Sequence, residues 1–381
     1  DHNAYLHSAN AFGGKPQRIR EIKADFDGGI AELLAKATRK GALDDAVSTE
    51  DQAILLEALR SLGALDKDFR YRAGENSAAH RGYAKHAGGG LGAEPVAGDP
   101  VGLHDILTSR LWRGLQSFLL YDFQTTMFQP VGGMGRIGEA FARQIPGRIR
   151  FGAKVVAIRQ SDSGVAIAFE DLDAGGTVRE AKADWCVCAI PLSILSQIPI
   201  DVSAPMKAAI DAVPYASAVK FGLQFKRRFW EEDEHIFGGI SYTDLPIRQI
   251  AYPNAGLNSG GKGVLLGGYT FDGPNSYEFT AMAPAERVAR AVELGSQIHP
   301  QYRAEFENGV AVAWSRVPFT LGCAGDWSDE ARRAHYDNLC QIDGRIVLAG
   351  EHASYIPAWQ EGAILSALDA ITRLHKRVVA T

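Results

Sequence analysis

Cysteine is scarce in this sequence, which also lacks a long apolar run and a basic stripe. Only four of the 381 residues are cysteines, far below the density of a fold held together by disulfides. Because no stretch of about 18 apolar residues occurs, the sequence predicts no membrane-spanning helix. Acidic and basic residues are mixed along the chain, with a net charge of -5, so we expect no nucleic-acid partner.

Two of the cysteines, Cys186 and Cys188, alternate in the apolar segment WCVCAI. We interpret them as small buried hydrophobic residues, because a lone C-x-C without clustered histidines is a weak metal motif. The isolated His86, His104 and His352 are interpreted as structural or surface residues. The low cysteine content is compatible with a reducing compartment, and we expect a cytoplasmic protein, with secretion or a periplasmic location as alternatives.

Helical periodicity dominates the first third of the sequence. Apolar residues recur at helical spacing in three stretches, 26–41, 48–63 and 103–123. Ser48 followed by Asp51 predicts the N-cap of the second helix. A flexible glycine-rich loop is expected between the second and third stretches, at 87–100.

From about residue 128 the sequence mainly predicts strands. One more long helix is predicted near the C-terminus. That helix is predicted from Pro357 to about Lys376, with one apolar face buried. The residues predicted to form this face are Ile364, Leu365, Leu368, Ile371 and Leu374.

Gly133, Gly135 and Gly138 match the G-x-G-x-x-G pattern of a dinucleotide-binding loop. The context argues against that function, because the preceding segment contains Pro130 and does not form a continuous buried strand. We therefore predict a glycine turn that leads into an amphipathic helix over Ile137–Gln144. No other segment carries the fingerprint, so a dinucleotide ligand would need a phosphate-binding βαβ unit from outside this chain.

Three segments carry a family resemblance. They are Val131-Gly-Gly-Met134 with the helix and the strand GAKVVAI that follow it, the strand end WCVCAIPLSIL, and LAGEHASYIPAWQEGAILSALDAI near the C-terminus. Together they resemble the flavin monoamine oxidase superfamily. The strands VKFGLQFKRRFWEED and GGISYTDLPIRQIAYPN are similar to substrate-domain strands of L-amino-acid oxidases.

The resemblance implies a mixed α/β fold of the FAD-linked amine oxidase type. A β-sheet substrate domain and a helical insertion would accompany the FAD-binding domain, and another chain or segment would supply the Rossmann phosphate-binding unit. The expected boundaries are 1–20 and 215–337 for the substrate domain, 21–127 for the helical domain, and 128–214 and 338–381 for the FAD-binding domain.

The C-terminal segment implies contacts with FAD. Gly350-Glu351 is followed, after six residues, by Ala358-Trp359. A helix N-terminus carries about half a positive charge, which would stabilise reduced anionic flavin if Ala358, Trp359 and Gln360 lie at its N1–C2=O edge. Glu351 would accept hydrogen bonds from ribityl or ribose hydroxyls. The simpler alternative is a surface strand followed by a packing helix.

Further residues are matched to FAD or substrate by the resemblance alone. Val155 resembles the position whose backbone contacts the adenine, although Val156 matches almost as well. The implied FAD-binding residues are Val155, Gly350, Glu351, Ala358, Trp359, Gln360 and Ala363.

Three residues are implied to act on the substrate. Lys220 matches the lysine that holds a water near flavin N5, and its alternative is an exposed-face lysine. Tyr269 matches a tyrosine that binds the substrate carboxylate, and its alternative is a cross-strand aromatic. Trp359 would be a rigid apolar wall of the substrate cage, and its alternative is a core tryptophan.

The implied reaction is oxidation of an L-amino acid by FAD and O2, giving a 2-oxo acid, ammonia and hydrogen peroxide. An amide-forming monooxygenase, an oxidase of other amines and a non-enzymatic binding module remain as alternatives. Because the chain starts at Asp1 and lacks the fingerprint, we expect an upstream chain from the same precursor, produced by proteolytic processing. A dimer of such hetero-oligomeric units is expected by family analogy.

Overall fold

The computed structural model describes residues 3–42, 48–115 and 128–380. They divide into two compact units. The first comprises the described residues within 1–125, 219–270 and 281–312, and the second comprises those within 126–218, 271–280 and 313–381. Each unit is thus assembled from segments that lie far apart in the sequence. The five-segment domain division above stays a prediction.

The described chain contains both strands and helices. The strands are β1 Tyr5–His7, β2 Gln17–Arg18, β3 Tyr83–Lys85, β4 Val96–Ala97, β5 Ala153–Ser161, β6 Gly164–Asp171, β7 Thr177–Ala183, β8 Cys186–Cys188, β9 Ala218–Phe225, β10 Gly239–Thr243, β11 Gln249–Tyr252, β12 Gly263–Phe271, β13 Phe306–Ala313, β14 Ile342–Asp343 and β15 Ile346–Leu348. The α-helices are α1 Ile19–Arg39, α2 Thr49–Leu62, α3 Glu75–Arg81, α4 Leu103–Ser109, α5 Trp112–Leu115, α6 Gly135–Gln144, α7 Leu192–Leu195, α8 Ala204–Asp211, α9 Phe229–Glu232, α10 Gly273–Ala281, α11 Pro284–Gly295, α12 Tyr302–Glu305, α13 Asp329–Cys340 and α14 Gln360–Val379.

A seven-stranded sheet organises the first unit, in the order β13-β9-β12-β11-β10-β1-β2. β1 runs parallel to β10, whereas the β10–β11 and β11–β12 pairs are antiparallel. In β9, Val219, Phe221, Leu223 and Phe225 are buried, and Lys220 between them is half-buried. The predicted alternation is therefore confirmed, and it places Lys220 on the other face of the strand.

Helix α1 buries a carboxylate as well as the apolar side chains of Ile19 and Ile22. The Asp25 carboxylate accepts hydrogen bonds from Arg81 Nε at 2.9 Å, Tyr71 Oη at 2.8 Å and the Val101 backbone N at 2.6 Å. Each partner comes from a different part of the helical region. This pairing compensates for the burial of the charge and ties these segments to α1.

The predicted helices of this region are confirmed in part. Ser48 caps α2, because its Oγ accepts the Asp51 backbone N–H at 3.0 Å. The single helix expected over 103–123 is wrong, since Arg110 adopts a left-handed conformation (φ 56°) that ends α4 before α5 begins. Phe118 and Leu119, which belonged to that prediction, lie outside the described residues.

The second unit combines an antiparallel sheet, β5-β6-β7, with a small sheet in the order β14-β15-β8. β15 runs parallel to β8. Cys186 and Cys188 are buried, as predicted, in a hydrophobic cluster shared with Leu192, Ile346 and Leu348. The strand pattern GTVREAKADWCVCAIP forms two strands, because β7 ends at Ala183 and β8 begins at Cys186.

The Gly133 region forms a turn that leads into a helix, as predicted. Gly133 has φ 95°, and α6 begins at Gly135, two residues before the predicted start. In the described residues 128–134 no strand precedes this turn. Within these described residues it therefore lacks the strand–turn–helix context of a phosphate-binding loop.

Helix α14 corrects two predictions. It begins at Gln360 rather than Pro357. Its buried residues are Gly362, Ser366 and Ala370, so small side chains let it approach β15. Of the face predicted to be buried, Ile364, Leu365, Leu368 and Ile371 are exposed and only Leu374 packs against a core cluster.

Candidate active-site segments

The segment after β15 is folded around the side chain of Glu351. Gly350, two residues after the end of β15, has φ 139°, a conformation that favours glycine. Glu351 Oε1 accepts the Gly325 N–H at 3.0 Å, and Glu351 Oε2 accepts the Ala358 N–H at 3.0 Å. One carboxylate therefore joins the beginning and the end of the loop, a structural role that sequence reasoning did not predict.

The end of this loop presents Trp359 at the start of α14. Ala358 has φ 68°, which turns the chain sharply before the helix and puts Ala358 outside it. Trp359 occupies the N-cap position and is 41% exposed. The alternative of a core tryptophan is therefore excluded, and the helix N-terminus opens at Gln360. Ala363 is half-buried, and its N–H donates to Trp359 O at 3.3 Å.

The loop lies directly on the first turn of α14 because Gly362 has no side chain. A Cβ at this position would lie 2.1 Å from the Ile356 carbonyl oxygen and 2.5 Å from Ser354 Oγ. Glycine thus permits a backbone contact that any other residue would prevent. This contact sets the distance between the loop and the first turn of α14.

The His352 side chain, within the loop, is fully buried. Its Nδ1 lies 3.2 Å from Tyr215 Oη, which also accepts the Leu192 N–H at 3.1 Å. Burial lowers the pKa of His352 to about 4, so the imidazole is neutral near pH 7. Burial, followed by the nearby Glu351 charge, raises the pKa of Tyr215. The chain of contacts links the Ile-Pro-Leu motif to the Gly350-Glu351 motif.

A cavity of about 950 Å³ opens in the same unit. It is lined by Val155 and Val156 of β5, by Ile190 and Pro191 after β8, and by Phe319. Two of the segments that carry the family resemblance therefore meet at one cavity, of the size and largely apolar character of small-molecule sites. Both Val155 and Val156 lie at its wall, so the choice between them stays open.

In the first unit, Lys220 and Tyr269 are brought together. They lie on the neighbouring strands β9 and β12, and Lys220 Nζ is 4.4 Å from the centroid of the Tyr269 ring. A cation over an aromatic face is an attractive arrangement. Both side chains are half-buried, so the lysine is neither a free surface residue nor part of the core.

The residues above form two groups. Glu351, Ala358, Trp359, Gln360 and Ala363 belong to one continuous segment of the second unit, whereas Lys220 and Tyr269 pair in the first. Sequence reasoning missed Tyr215 and treated His352 only as structural or surface. The adjacency of His352 to Glu351 was the one available signal for it.

A profile of the family described as flavin containing amine oxidoreductase matches residues 6–374. This chain belongs to that family. The resemblance stated from its motifs, to the flavin monoamine oxidase superfamily, is confirmed.

Relatives within the family include an L-amino-acid oxidase of Siganus canaliculatus, 30% identical over 252 residues, which are 65% of this chain and 47% of the relative. A flavin-dependent L-tryptophan oxidase of Lentzea aerocolonigenes is 31% identical over 249 residues, which are 63% of this chain and 51% of the relative. The matched part of the chain thus spans about half the length of these curated relatives.

Solved structures agree on the fold. A putrescine oxidase variant superposes with a TM-score of 0.60 at 14% identity, covering 97% of this chain and 81% of that chain. The cyclohexylamine oxidase of Brevibacterium oxydans gives a TM-score of 0.59 at 14% identity, with coverages of 98% and 81%. The predicted mixed α/β fold of the amine oxidase type is confirmed.

The cofactor of this family member is FAD, as predicted, and features of the second unit fit it. A Cβ at Gly350 would lie 2.6 Å from the His352 ring, and His352 Nε2 is buried without a hydrogen-bond partner among the described residues. The cavity lined by Val155 lies in the same unit. In the described ranges no cluster of His, Cys, Asp or Glu has the composition of a metal site, and no helix there is long and apolar enough to cross a membrane.

Proposed function

We propose that the protein catalyses the oxidative deamination of an L-amino acid with O2 and water, giving a 2-oxo acid, ammonia and hydrogen peroxide. The observation that carries this proposal is the Glu351-centred loop, which ends at an exposed Trp359 and the N-terminus of α14 in a member of the flavin amine oxidase family. When bound, FAD supplies the acceptor for the hydride that leaves the substrate Cα. L-amino-acid oxidases among the relatives support an amino-acid substrate.

The helix N-terminus is proposed to stabilise negative charge. Gln360 begins α14, and its first turn carries unpaired backbone N–H groups and the positive end of the helix dipole. Trp359 holds a flat apolar surface beside that charge, which suits it to orient a substrate and exclude water. Val155, Gly350, Glu351, Ala358 and Ala363 are the proposed FAD contacts.

Lys220 and Tyr269 are proposed to act on the substrate side. The Tyr269 ring holds the Lys220 ammonium by a cation–π contact at 4.4 Å. Fixed in this way, Lys220 can hold a water and move protons to and from it, including the water that hydrolyses the imine product. The Tyr269 hydroxyl is proposed to donate a hydrogen bond to the substrate carboxylate.

The test replaces Lys220 while keeping the strand intact. Lys220→Met should lower kcat by about 100-fold, since loss of positioned proton transfer has effects of that order. The matched control is Lys226→Met, directly after the same strand, whose exposed ammonium donates to the Ala304 carbonyl oxygen. The control should retain wild-type kcat, and a Lys220→Met enzyme with unchanged kcat would contradict the assignment.

Product analysis decides the reaction class. One peroxide per amino acid consumed, with no turnover of the corresponding amine that lacks the carboxylate, is the expected result. Amide formation without stoichiometric peroxide would indicate a monooxygenase, and turnover of the decarboxylated amine would indicate an amine oxidase. Either result would replace the proposed reaction.

We also propose that the phosphate-binding βαβ unit lies on another polypeptide segment, and that two such assemblies form a dimer. Support comes from the Gly133 turn, which leads into α6 without a strand in the described residues 128–134. Denaturing electrophoresis and mass analysis of active enzyme test this. A second chain besides the 41.1 kDa species is expected, and a lone 41.1 kDa species with bound FAD would contradict it.

A further inference from the structure

The loop between Glu351 and Ala358 is held from outside by an arginine set among three aromatic rings. Arg332 Cζ lies 5.2 Å from the Trp327 ring, 5.0 Å from the Tyr336 ring and 4.7 Å from the Tyr355 ring. Tyr336 and Tyr355 also contact each other, with ring centroids 4.5 Å apart. We call these four residues the aromatic clamp. It joins α13 to the loop, because Tyr355 belongs to the loop itself.

Two residues of the aromatic clamp donate hydrogen bonds to the loop backbone. Arg332 Nη1 donates to the Ser354 carbonyl oxygen at 3.1 Å, and Trp327 Nε1 donates to the His352 carbonyl oxygen at 2.9 Å. A planar guanidinium can stack on rings and donate in its own plane at the same time. Arg332 therefore fixes the lateral position of the loop as well as its distance from α13.

Hydrogen bonds inside the loop carry that position to Glu351 and Ala358. Ser354 Oγ donates to the Glu351 carbonyl oxygen at 2.7 Å and accepts the Ile356 N–H at 3.1 Å. The Glu351 carboxylate in turn accepts the Ala358 N–H. Since a Cβ at Gly362 would meet both Ser354 and Ile356, the loop has no space to move towards α14. A displacement at Ser354 must therefore displace the residues on either side of it.

We propose that Arg332 is a positioning residue for cofactor binding, which acts by holding the loop so that Glu351 and the N-terminus of α14 keep the geometry that FAD requires. The proposal rests on the proposed binding of FAD at this segment. Arg332 acts through the loop and is not placed in contact with cofactor or substrate. Its loss weakens FAD binding while the fold is retained, because the guanidinium is only half-buried on the outside of the unit.

The experiment compares Arg332→Met with Arg333→Met in the complete flavoprotein. Methionine keeps much of the side-chain length and removes the charge and donors. Arg333 is the matched control, because it is exposed on the same helix and its Nε donates only to its own helix, at the Asp329 carbonyl oxygen. Each apoprotein is titrated with FAD by flavin fluorescence, and the melting temperature is measured with and without FAD.

Arg332→Met should raise the Kd of FAD about tenfold, equivalent to about 1.4 kcal/mol, and reduce the rise in melting temperature that FAD produces. Arg332→Lys should restore part of the affinity, because it keeps the cation over the rings. Arg333→Met should match the wild type. A merely structural role would instead lower the melting temperatures of the apoprotein and the FAD-bound protein together, with Kd unchanged, and that result overturns the proposal.

A second variant covers the case in which Arg332→Met fails to fold. Tyr355 is 71% exposed, so Tyr355→Leu removes one ring of the aromatic clamp with little effect on packing. It should raise the Kd of FAD about threefold, and an unchanged Kd contradicts the proposal. Wild-type protein that binds no FAD would instead contradict the proposed function, so the two failures are distinguishable.

Discussion

Replacing Gly362 by alanine tests the contact between the loop and α14. On helix propensity alone this change should stabilise the protein by about 1 kcal/mol, because alanine favours the helix over glycine. The structure predicts the opposite sign. The new Cβ would lie 2.1 Å from the Ile356 carbonyl oxygen and 2.5 Å from Ser354 Oγ, and the carbonyl belongs to the backbone, so no side-chain rotation relieves the contact.

The magnitude follows from three contributions. Overpacking of this kind costs about 1–3 kcal/mol. Moving Ser354 also strains its hydrogen bonds to Glu351 and Ile356, each worth about 1 kcal/mol. Set against the propensity gain, Gly362→Ala should lower the free energy of unfolding by about 2 kcal/mol.

Urea denaturation measures this change, and Gly138→Ala is the matched control. Gly138 lies within the exposed helix α6, where an added Cβ meets nothing within 4 Å. That variant should gain about 0.5–1 kcal/mol. If both glycine variants were stabilised equally, the close approach of the loop to α14 would be refuted.

Two further predictions concern the same loop. Ala358→Gly should raise the free energy of unfolding by about 0.5 kcal/mol, because φ 68° is costly for alanine and the relief exceeds the added chain entropy; a lower melting temperature would contradict this. Burial lowers the pKa of His352 to about 4 in the folded protein. Between about pH 6.5 and pH 4 the unfolded chain therefore binds a proton at His352 that the folded protein does not. Stability should therefore fall by up to about 1.4 kcal/mol per pH unit as pH drops through this window, and His352→Asn should flatten the profile measured by urea denaturation at each pH. An identical slope in the variant would exclude His352 as the cause.

Sequence patterns predicted much of the local structure. The alternation in β9 and the cap at Ser48 depend on neighbouring residues, so their physical causes are visible in a short window. The face of α14 was predicted wrongly for a different reason. Periodicity identifies the apolar face with Leu365 and Leu368, but it cannot show that Gly362 and Ser366 allow the closer approach to β15.

The candidate site also contains parts that the sequence pattern could locate and parts that it could not. The spacing of Gly350, Glu351 and Ala358 was sufficient to locate the loop, because these residues are close in sequence. Arg332 donates to Ser354, 22 residues later in the sequence, and Trp327 donates to His352, 25 residues later. No sequence pattern links these two residues to the loop. The roles assigned to Lys220, Tyr269, Trp359 and the FAD-binding residues stay predictions.

The most direct test of the central claim is a crystal structure of the complete protein with FAD bound. We predict that the N-terminus of α14, at Trp359 and Gln360, contacts the N1–C2=O edge of the isoalloxazine ring, with the Glu351 carboxylate within hydrogen-bond distance of a ribityl or ribose hydroxyl. A ring bound elsewhere, with that helix end facing solvent, would contradict it.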